Sequence, residues 1–414
     1  MVENGWVFAA RRIFTHNPDA FSEGQVVNVS MACNHCKEPV CLTGCPASAY
    51  DIDPETGAVI LVPERCIGCR YCTWNCPYDA PRYNSVSGII EKCHFCNHLI
   101  LSGATPACSS ACPTGALGFG DIPDNIDFTG NEIIPEKGIN PSFFLSETIA
   151  GNSPEIIPPL SKEDLSTNSS VSIGLNTVDA SLIAFSFLSL LSVSLTVSGI
   201  FIYNSSWYAL SLIFILLAGL SSLFHLGSWI KAWRSVYNLR KSPLSREISA
   251  LILYGGLLVA APFVDNPVFQ IIVSSSGLLL LLSIDSVYNF TAGKISRFHS
   301  GQVFITSLLI VSFLTNQTIP FLFIGTLKLI IIFRSGQLTG PDRTIFGHRF
   351  IRVALLILTI IILVTGASRG EISALLIFFT GELFDRYLFY CDFMPLNIST
   401  TINNKINNIS DEKE

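Results

Sequence analysis

Twelve of the thirteen cysteines lie within the first 112 residues, in three groups of four. Each group begins with a C-x2-C element and ends in a Cys-Pro pair. Thiolates at such short spacings surround the irons of [4Fe–4S] clusters, which carry single electrons. The groups are Cys33, Cys36, Cys41 and Cys45; Cys66, Cys69, Cys72 and Cys76; and Cys93, Cys96, Cys108 and Cys112.

The first two groups together predict one two-cluster ferredoxin fold. In ferredoxins with two clusters, the cysteine before proline ligates the cluster of the other group. Zinc is the alternative for such cysteines, but it gives no reason for the Cys-Pro endings. The rule assigns Cys33, Cys36, Cys41 and Cys76 to cluster 1, and Cys66, Cys69, Cys72 and Cys45 to cluster 2.

The third group differs because eleven residues separate Cys96 from Cys108. Its crossed partner would be a fourth group, which the sequence does not contain. Either Cys112 closes a third cluster with Cys93, Cys96 and Cys108, or one site is missing, and zinc stays an alternative. His35 and His94 lie inside cysteine loops and are expected to support the site or face solvent rather than ligate iron.

The two halves of the sequence differ in charge and hydropathy. Residues 1–176 carry 9 Lys and Arg against 19 Asp and Glu, whereas residues 177–414 carry 16 against 12. A mean hydropathy of +0.49 with 14% charged residues is too apolar for a purely soluble protein of this length. No basic stripe accompanies an aromatic platform, which argues against nucleic-acid binding.

Eight apolar segments in the second half are near the length that a helix needs to cross a bilayer. They are 178–203, 207–230, 247–264, 267–290, 301–317, 318–334, 349–368 and 372–391. The sequence therefore predicts an α+β ferredoxin-like, multi-cluster iron–sulfur domain followed by an all-α bundle of eight transmembrane helices. The predicted boundaries are 1–120 for the iron–sulfur domain, 121–176 for an extended linker, 177–392 for the membrane anchor and 393–414 for a polar tail.

An even number of spans would place both termini on one side of the membrane. The loops on that side carry eleven Lys and Arg, and those on the other side carry only Arg369. The positive-inside rule then favours the cytoplasm, although these cations could instead dock the acidic domain or a partner. Residues 1–20 contain no apolar core of a signal peptide, which fits a cytoplasmic domain and equally a domain exported alongside a signal-bearing partner, so the sequence leaves the side open.

Several motifs resemble two subunits of the bacterial dimethyl sulfoxide reductase family fused into one polypeptide. The run from Met31 to Cys41, with Cys66 to Cys72 and Cys76-Pro-Tyr78, resembles the four-cluster iron–sulfur subunit. The second half resembles the eight-helix anchor subunit that oxidises quinol. Its telling segments are Ser222–Gly227, Ser242–Glu247, Val287–Asn289 and Gly381–Arg386.

The sequence departs from this family at its N-terminus. The family's iron–sulfur subunit begins with a further cysteine group, and Met1 falls just after the place where that group would end. Arg11-Arg12 resembles the stretch that follows it. In the family that group pairs with the third group, so the gene start is misassigned or the protein is a three-group variant.

The resemblance implies a quinol site and a catalytic partner. The residues that match the family's menaquinol-binding His and Glu are His225 and Glu247, at one end of the second and third spans. The implied partner is a separate molybdopterin-containing subunit that reduces dimethyl sulfoxide in anaerobic respiration, with the anchor in the bacterial inner membrane. Alternatives are another terminal acceptor (polysulfide, thiosulfate, tetrathionate or nitrate), or a membrane-tethered ferredoxin without quinol chemistry.

Haem is not expected, because no two of the seven histidines lie mid-span where they could face each other. Five further ionisable residues lie within or at the ends of spans and are expected to pair structurally. These are Asp285, Lys328, Glu382, Asp385 and Arg386.

Overall fold

The computed structural model describes residues 2–3, 6–7, 10–16, 27–113, 115–121, 139–143, 180–202, 206–264, 266–291, 299–334, 350–351, 353–358 and 372–392. These residues form two compact units. The first contains the described residues of 1–172 together with 230–242, and the second contains those of 173–229 and 243–394. All three cysteine groups lie in the first unit, and the long apolar helices lie in the second.

The first unit is built from short hairpins and short helices. Four antiparallel hairpins pair neighbouring strands: β1 with β2, β3 with β4, β5 with β6 and β7 with β8. The strands are β1 Val2–Glu3, β2 Trp6–Val7, β3 Arg12–His16, β4 Val27–Met31, β5 Tyr50–Ile52, β6 Val59–Leu61, β7 Arg82–Asn84 and β8 Ile89–Glu91. The helices are α1 Val40–Gly44, α2 Tyr71–Asn75, α3 Asn97–Leu101 and α4 Ala107–Ser110, with a 3-10 turn at Pro63–Arg65.

The same backbone turns recur in all three cysteine groups. A positive φ occurs at the residue before the second cysteine of each C-x2-C element and at the second residue after each Cys-Pro pair. These residues are His35 (43°), Gly68 (68°), Phe95 (64°), Ser48 (49°), Asp79 (50°) and Gly115 (68°). Because residues other than glycine rarely adopt a positive φ, its recurrence at equivalent positions marks a shared local geometry. The third group therefore keeps the turns of the first two despite its longer spacing.

The second unit consists of long helices. They are α5 Ala180–Ile202, α6 Ser206–Phe224, α7 Pro243–Ala260, α8 Pro267–Thr291, α9 Val303–Leu314, α10 Thr318–Arg334 and α11 Ile372–Asp392. Four of the described helices are long and apolar enough to cross a membrane: α5, α6, α8, and α7 extended by the 3-10 turn Ala261–Phe263. The protein is therefore a candidate multi-pass membrane protein.

Seven of the eight predicted segments coincide with these helices, although some bounds differ. Helix α6 ends at Phe224 rather than at 230, because its last turn tightens: the N–H groups of His225 and Leu226 donate to carbonyls only three residues back. In the segment predicted at 349–368, residues 350–351 and 353–358 are helical, and 359–368 lie outside the described residues. The total of eight helices stays a prediction.

Helix α9 has only 12 residues, and a carboxylate fixes where it begins. The backbone N–H groups of Val303 and Phe304 donate to the two oxygens of Asp285, at 3.0 and 3.1 Å. A carboxylate in this position satisfies free amides at a helix N-terminus and complements the helix dipole. The segment predicted to begin at 301 therefore starts its helix at Val303.

Small and hydroxyl-bearing residues join the helices of the second unit. Ser192 in α5 donates to the carbonyl of Ser211 in α6 at 2.7 Å. The Tyr254 hydroxyl of α7 lies 3.1 Å from Ser192 Oγ and 2.7 Å from Thr196 Oγ1. Interhelical bonds of this kind are typical of helices that pack inside a bilayer.

Four of the charged residues in the predicted spans have buried partners. Lys328 Nζ lies 2.5 Å from Glu382 Oε2 and 3.0 Å from Asp385 Oδ2, and its side chain is 1% exposed. Arg386 Nε donates to Ser186 Oγ at 2.8 Å. These contacts bear out the expectation that the ionisable residues pair with structural partners.

Candidate iron–sulfur site

Two cavities in the first unit are lined by cysteines. Cavity 1 is lined by two cysteines of the loop before α1, by one cysteine within α1 and by the cysteine that follows α2. Its cysteines are Cys33, Cys36, Cys41 and Cys76. The fold therefore brings together the set that the crossed rule assigned to cluster 1, three from the first group and one from the second.

Cavity 2 repeats this arrangement with the groups exchanged. Its cysteines are Cys45, Cys66, Cys69 and Cys72. Cys41 lies within α1 and lines cavity 1, and Cys72 lies within α2 and lines cavity 2. Cys45 and Cys76 follow the C-terminal ends of these two packed helices and line the opposite cavities, 2 and 1. Strands β6 and β8 also contribute equivalently, since Val59 lines cavity 1 and Ile90 lines cavity 2.

The thiols that line the cavities are hard to ionise in this apolar setting. The pKa of Cys36 is raised to about 12, mainly because the thiol is buried and secondly because Cys76 lies nearby. Burial likewise raises the pKa of Cys76 to about 11, and it raises the pKa values of Cys41, Cys45, Cys69 and Cys72. Four thiolates around one cavity therefore need positive charge inside it, which the irons of a cluster supply.

Buried polar atoms in the cavity walls test whether such a cluster fits. Asn34 Nδ2 and His35 Nε2 belong to residues that line cavity 1, and Arg70 Nε belongs to one that lines cavity 2. All three atoms are buried without a hydrogen-bond partner in the protein. Because buried donors normally have an acceptor, these donors fit a group rich in sulfur between the thiols.

The thiols that line each cavity are not grouped closely enough to bind one metal ion together. Among the described residues, no three side chains of His, Cys, Asp or Glu are grouped closely enough to hold a single metal ion. A [4Fe–4S] cube places one iron at each thiolate. The four cysteines that line each cavity match the donor set of such a cube.

The third cysteine group is more open. Cys108 is exposed, and its sulfur lies 3.8 Å from an Nη of Arg11. Burial raises the pKa of Cys93, whose sulfur accepts a hydrogen bond from the Phe95 N–H at 3.3 Å. Cys96 directly precedes α3, and Cys112 follows α4. A third cluster held by this group stays a prediction, supported by the shared turns.

Part of the predicted linker packs on the first unit. The N–H of Lys37 donates to the carbonyl of Asn140 at 2.9 Å, and the N–H of Ser142 donates to the carbonyl of Asn34 at 2.9 Å. Ile139 is 2% exposed and lines cavity 1. No sequence pattern indicated that this residue closes the cavity; apart from Asp121 and 139–143, the predicted linker lies outside the described ranges.

A second distant segment supports cavity 2. Asn238 Nδ2 donates to the carbonyls of Thr43 and Cys45, at 3.1 and 2.9 Å, and Ser242 Oγ donates to that of Gly44 at 2.7 Å. These bonds satisfy carbonyls that the end of α1 leaves free. They hold the backbone of Cys45, and sequence reasoning missed them because nearly 200 positions separate the partners.

The two residues of the predicted quinol site are in the second unit. His225 follows the end of α6 and is 9% exposed, and Glu247 lies in the first turns of α7 and is 6% exposed. A role in quinol chemistry stays a prediction for both residues.

Comparison with known proteins agrees with the cavities. Residues 25–122 match the family model of the 4Fe-4S dicluster domain. Over 94 residues, the sequence is 44% identical to a component of the anaerobic dimethyl sulfoxide reductase of Escherichia coli, covering 23% of this protein and 45% of the relative.

Two further relatives carry other names. A component of the sulfite dehydrogenase of Allochromatium vinosum is 32% identical over 145 residues, which cover 32% of this protein and 60% of the relative. The formate dehydrogenase-O iron–sulfur subunit of Escherichia coli is 44% identical over 88 residues, or 21% and 29% of the two proteins.

The protein spans less than half of the dimethyl sulfoxide reductase relative and under two thirds of the others. The dicluster domain thus accounts for the N-terminal region. The apolar helices that follow fit a membrane anchor fused to it.

Proposed function

We propose that the protein is the electron-transfer and membrane-anchor subunit of a molybdopterin oxidoreductase complex in the bacterial inner membrane. It would oxidise menaquinol and deliver electrons to a separate catalytic subunit, with dimethyl sulfoxide as the terminal acceptor. The observation that carries the electron-transfer part is the pair of cavities, each lined by three cysteines of one group and the pre-proline cysteine of another.

In this proposal the cysteines of cavities 1 and 2 hold two [4Fe–4S] clusters, and the third group holds another. A bound [4Fe–4S] cluster supplies reversible one-electron transfer. The protein contributes the thiolates and the buried donors in the cavity walls. Two distant segments also contribute, because Asn238 holds the backbone of Cys45 and Ile139 lines cavity 1.

At the quinol site, oxidation of one menaquinol gives one menaquinone, two protons and two electrons. His225 would take a proton from a quinol hydroxyl, and Glu247 would pass protons on, because a base and a carboxylate exit both assist this reaction. Their burial supports the assignment, since ionisable groups in a membrane protein are rarely retained there without a role.

Crossed ligation is tested by removing one cysteine at a time from anaerobically purified full-length protein. We expect Cys36→Ser and Cys76→Ser to lose the same EPR signal, and Cys45→Ser and Cys69→Ser to lose a second one. Cys391→Ser is the matched control and keeps every cluster signal. The proposed pairing is wrong if Cys36→Ser and Cys45→Ser lose the same signal.

Cluster number is tested by iron and acid-labile sulfide analysis of the same protein. About twelve irons per polypeptide would mean three clusters, and about eight would mean two. Zinc in place of iron would overturn the electron-transfer function.

The quinol site is tested with His225→Leu. We expect this variant to keep its iron and to be reduced by dithionite, but not by a menaquinol analogue. Reduction by the analogue at the normal rate would exclude His225 from the site.

The catalytic partner has one specific rival. Similarity to components of a sulfite dehydrogenase and of a formate dehydrogenase supports the same electron carrier beside a catalytic subunit that oxidises its substrate, with electrons flowing toward quinone. Purification of the native complex, followed by activity assays with dimethyl sulfoxide as electron acceptor and with sulfite and formate as electron donors, separates these possibilities.

A further inference from the structure

The wall of cavity 1 contains a histidine whose two ring nitrogens are in different situations. The backbone N–H of Val59 donates to His35 Nδ1 at 3.0 Å. In a neutral imidazole that accepts at Nδ1, the proton is on Nε2. His35 Nε2 is buried without a partner in the protein, and the residue is 3% exposed. The ring therefore presents one free N–H donor in a residue that lines the cavity.

Contacts from several elements fix this ring in place. Its centroid lies 4.5 Å from that of Phe95, and the Ser142 hydroxyl donates to the His35 carbonyl at 2.9 Å. Val59 of strand β6, which donates to the ring, is itself held by Lys92, because Lys92 Nζ donates to the Val59 carbonyl at 2.5 Å. Lys92 is 7% exposed and lines cavity 1 as well, so a positive charge lies in the same wall.

We propose that His35 Nε2–H donates a hydrogen bond to a sulfur of the cluster held in cavity 1, and that this bond raises the reduction potential of that cluster. The proposal rests on the proposed function, since it requires a cluster in cavity 1. Reduction adds one electron, which makes the sulfurs better acceptors. A fixed donor therefore stabilises the reduced cluster more than the oxidised one.

The test is a redox titration followed by EPR on the full-length protein, with three variants. His35→Leu removes the donor. His35→Gln restores an N–H donor and an acceptor for Val59, and His98→Leu is the control, because His98 is exposed and lines neither cavity. We expect His35→Leu to shift the potential of one cluster to a more negative value and to leave those of the other clusters unmoved. His35→Gln should recover part of the shift, and His98→Leu should change no cluster potential.

Unchanged potentials in a His35→Leu protein with full iron content would overturn the proposal. If His35→Leu fails to fold, pulsed EPR of the otherwise native protein with 15N-labelled histidine gives a second test. A 15N coupling to one reduced cluster is expected, and it should vanish in His35→Gln. Its absence from the native protein would overturn the hydrogen bond. Native protein that binds no iron would instead overturn the proposed function.

Discussion

The buried donors beside the cysteine cavities and the buried charges of the helical unit are satisfied in different ways. In the first unit, buried donors such as Asn34 Nδ2 and His35 Nε2 have no partner within the protein and belong to residues lining a cavity. In the second, the buried charges of Lys328, Glu382 and Asp385 satisfy one another. The comparison indicates that the first unit needs a bound group to complete its core, whereas the helical unit obtains its charge partners from its own sequence.

Removal of iron should have the largest effect on hydrogen-exchange protection, and this effect should be confined to the iron–sulfur unit. With the clusters extracted by a chelator under reducing conditions, we expect the short elements around the cavities to lose their protection from hydrogen exchange, because metal-ligand bonds supply folding energy. Peptides from 33–76 should exchange rapidly, whereas peptides from 180–224 should exchange as before. Equal acceleration in both sets would contradict the difference between the units.

A break in the buried charge network should give the largest effect of a single substitution in the helical unit. Lys328→Met leaves Glu382 and Asp385 buried without their cation, so we expect the free energy of unfolding to fall by about 3–5 kcal/mol. Unfolding in mixed micelles, followed by circular dichroism, measures it. Leu327→Met, at an exposed position of the same helix, is the matched control and should change the free energy by less than about 0.5 kcal/mol.

A smaller loss is expected from a neutral bond in the same unit. Tyr254→Phe removes the hydroxyl that contacts Ser192 and Thr196, but both side chains keep their bonds to backbone carbonyls. The free energy of unfolding should therefore fall by about 1 kcal/mol in the same micelle assay. A loss as large as that of Lys328→Met would show that neutral and charged contacts contribute equally here.

The smallest effect should come from an exposed ion pair in the iron–sulfur unit. Arg65 Nη1 lies 2.9 Å from Asp51 Oδ1, with side chains 40% and 57% exposed. We expect Arg65→Ala to lower stability by less than about 1 kcal/mol and the difference to shrink in high salt. Thermal loss of the cluster absorbance, compared at low and high salt, measures it. A large loss insensitive to salt would assign this pair a structural role.

Local patterns in the sequence predicted much of this architecture. The prediction of an iron–sulfur region is confirmed by the dicluster-domain match over 25–122. Apolar runs bounded by Asn and Pro predicted α5 and α8 to within two residues at each end. The prediction was less accurate at 207–230, because Trp229 and Ile230 are apolar but start a 3-10 helix instead of extending α6.

The parts that sequence patterns missed depend on residues far apart in the sequence. Asn238 and Ser242 bind the carbonyls at the end of α1, and Ile139 closes cavity 1. No local pattern around these residues indicates their distant partners. Hydropathy and motif spacing describe neighbours along the sequence, whereas these contacts are set by tertiary packing.

The sequence by itself determined the kind of chemistry and the division of the protein, because cysteine spacing and apolar run length are properties of adjacent residues. Only the tertiary structure decided which donors are buried without partners in the cavity walls, such as His35 beside Val59. It also decided which buried charges of the helical unit pair, such as Lys328 with Glu382. Hydrogen bonding and ion pairing depend on distances of about 3 Å, which only packing of separate elements can set.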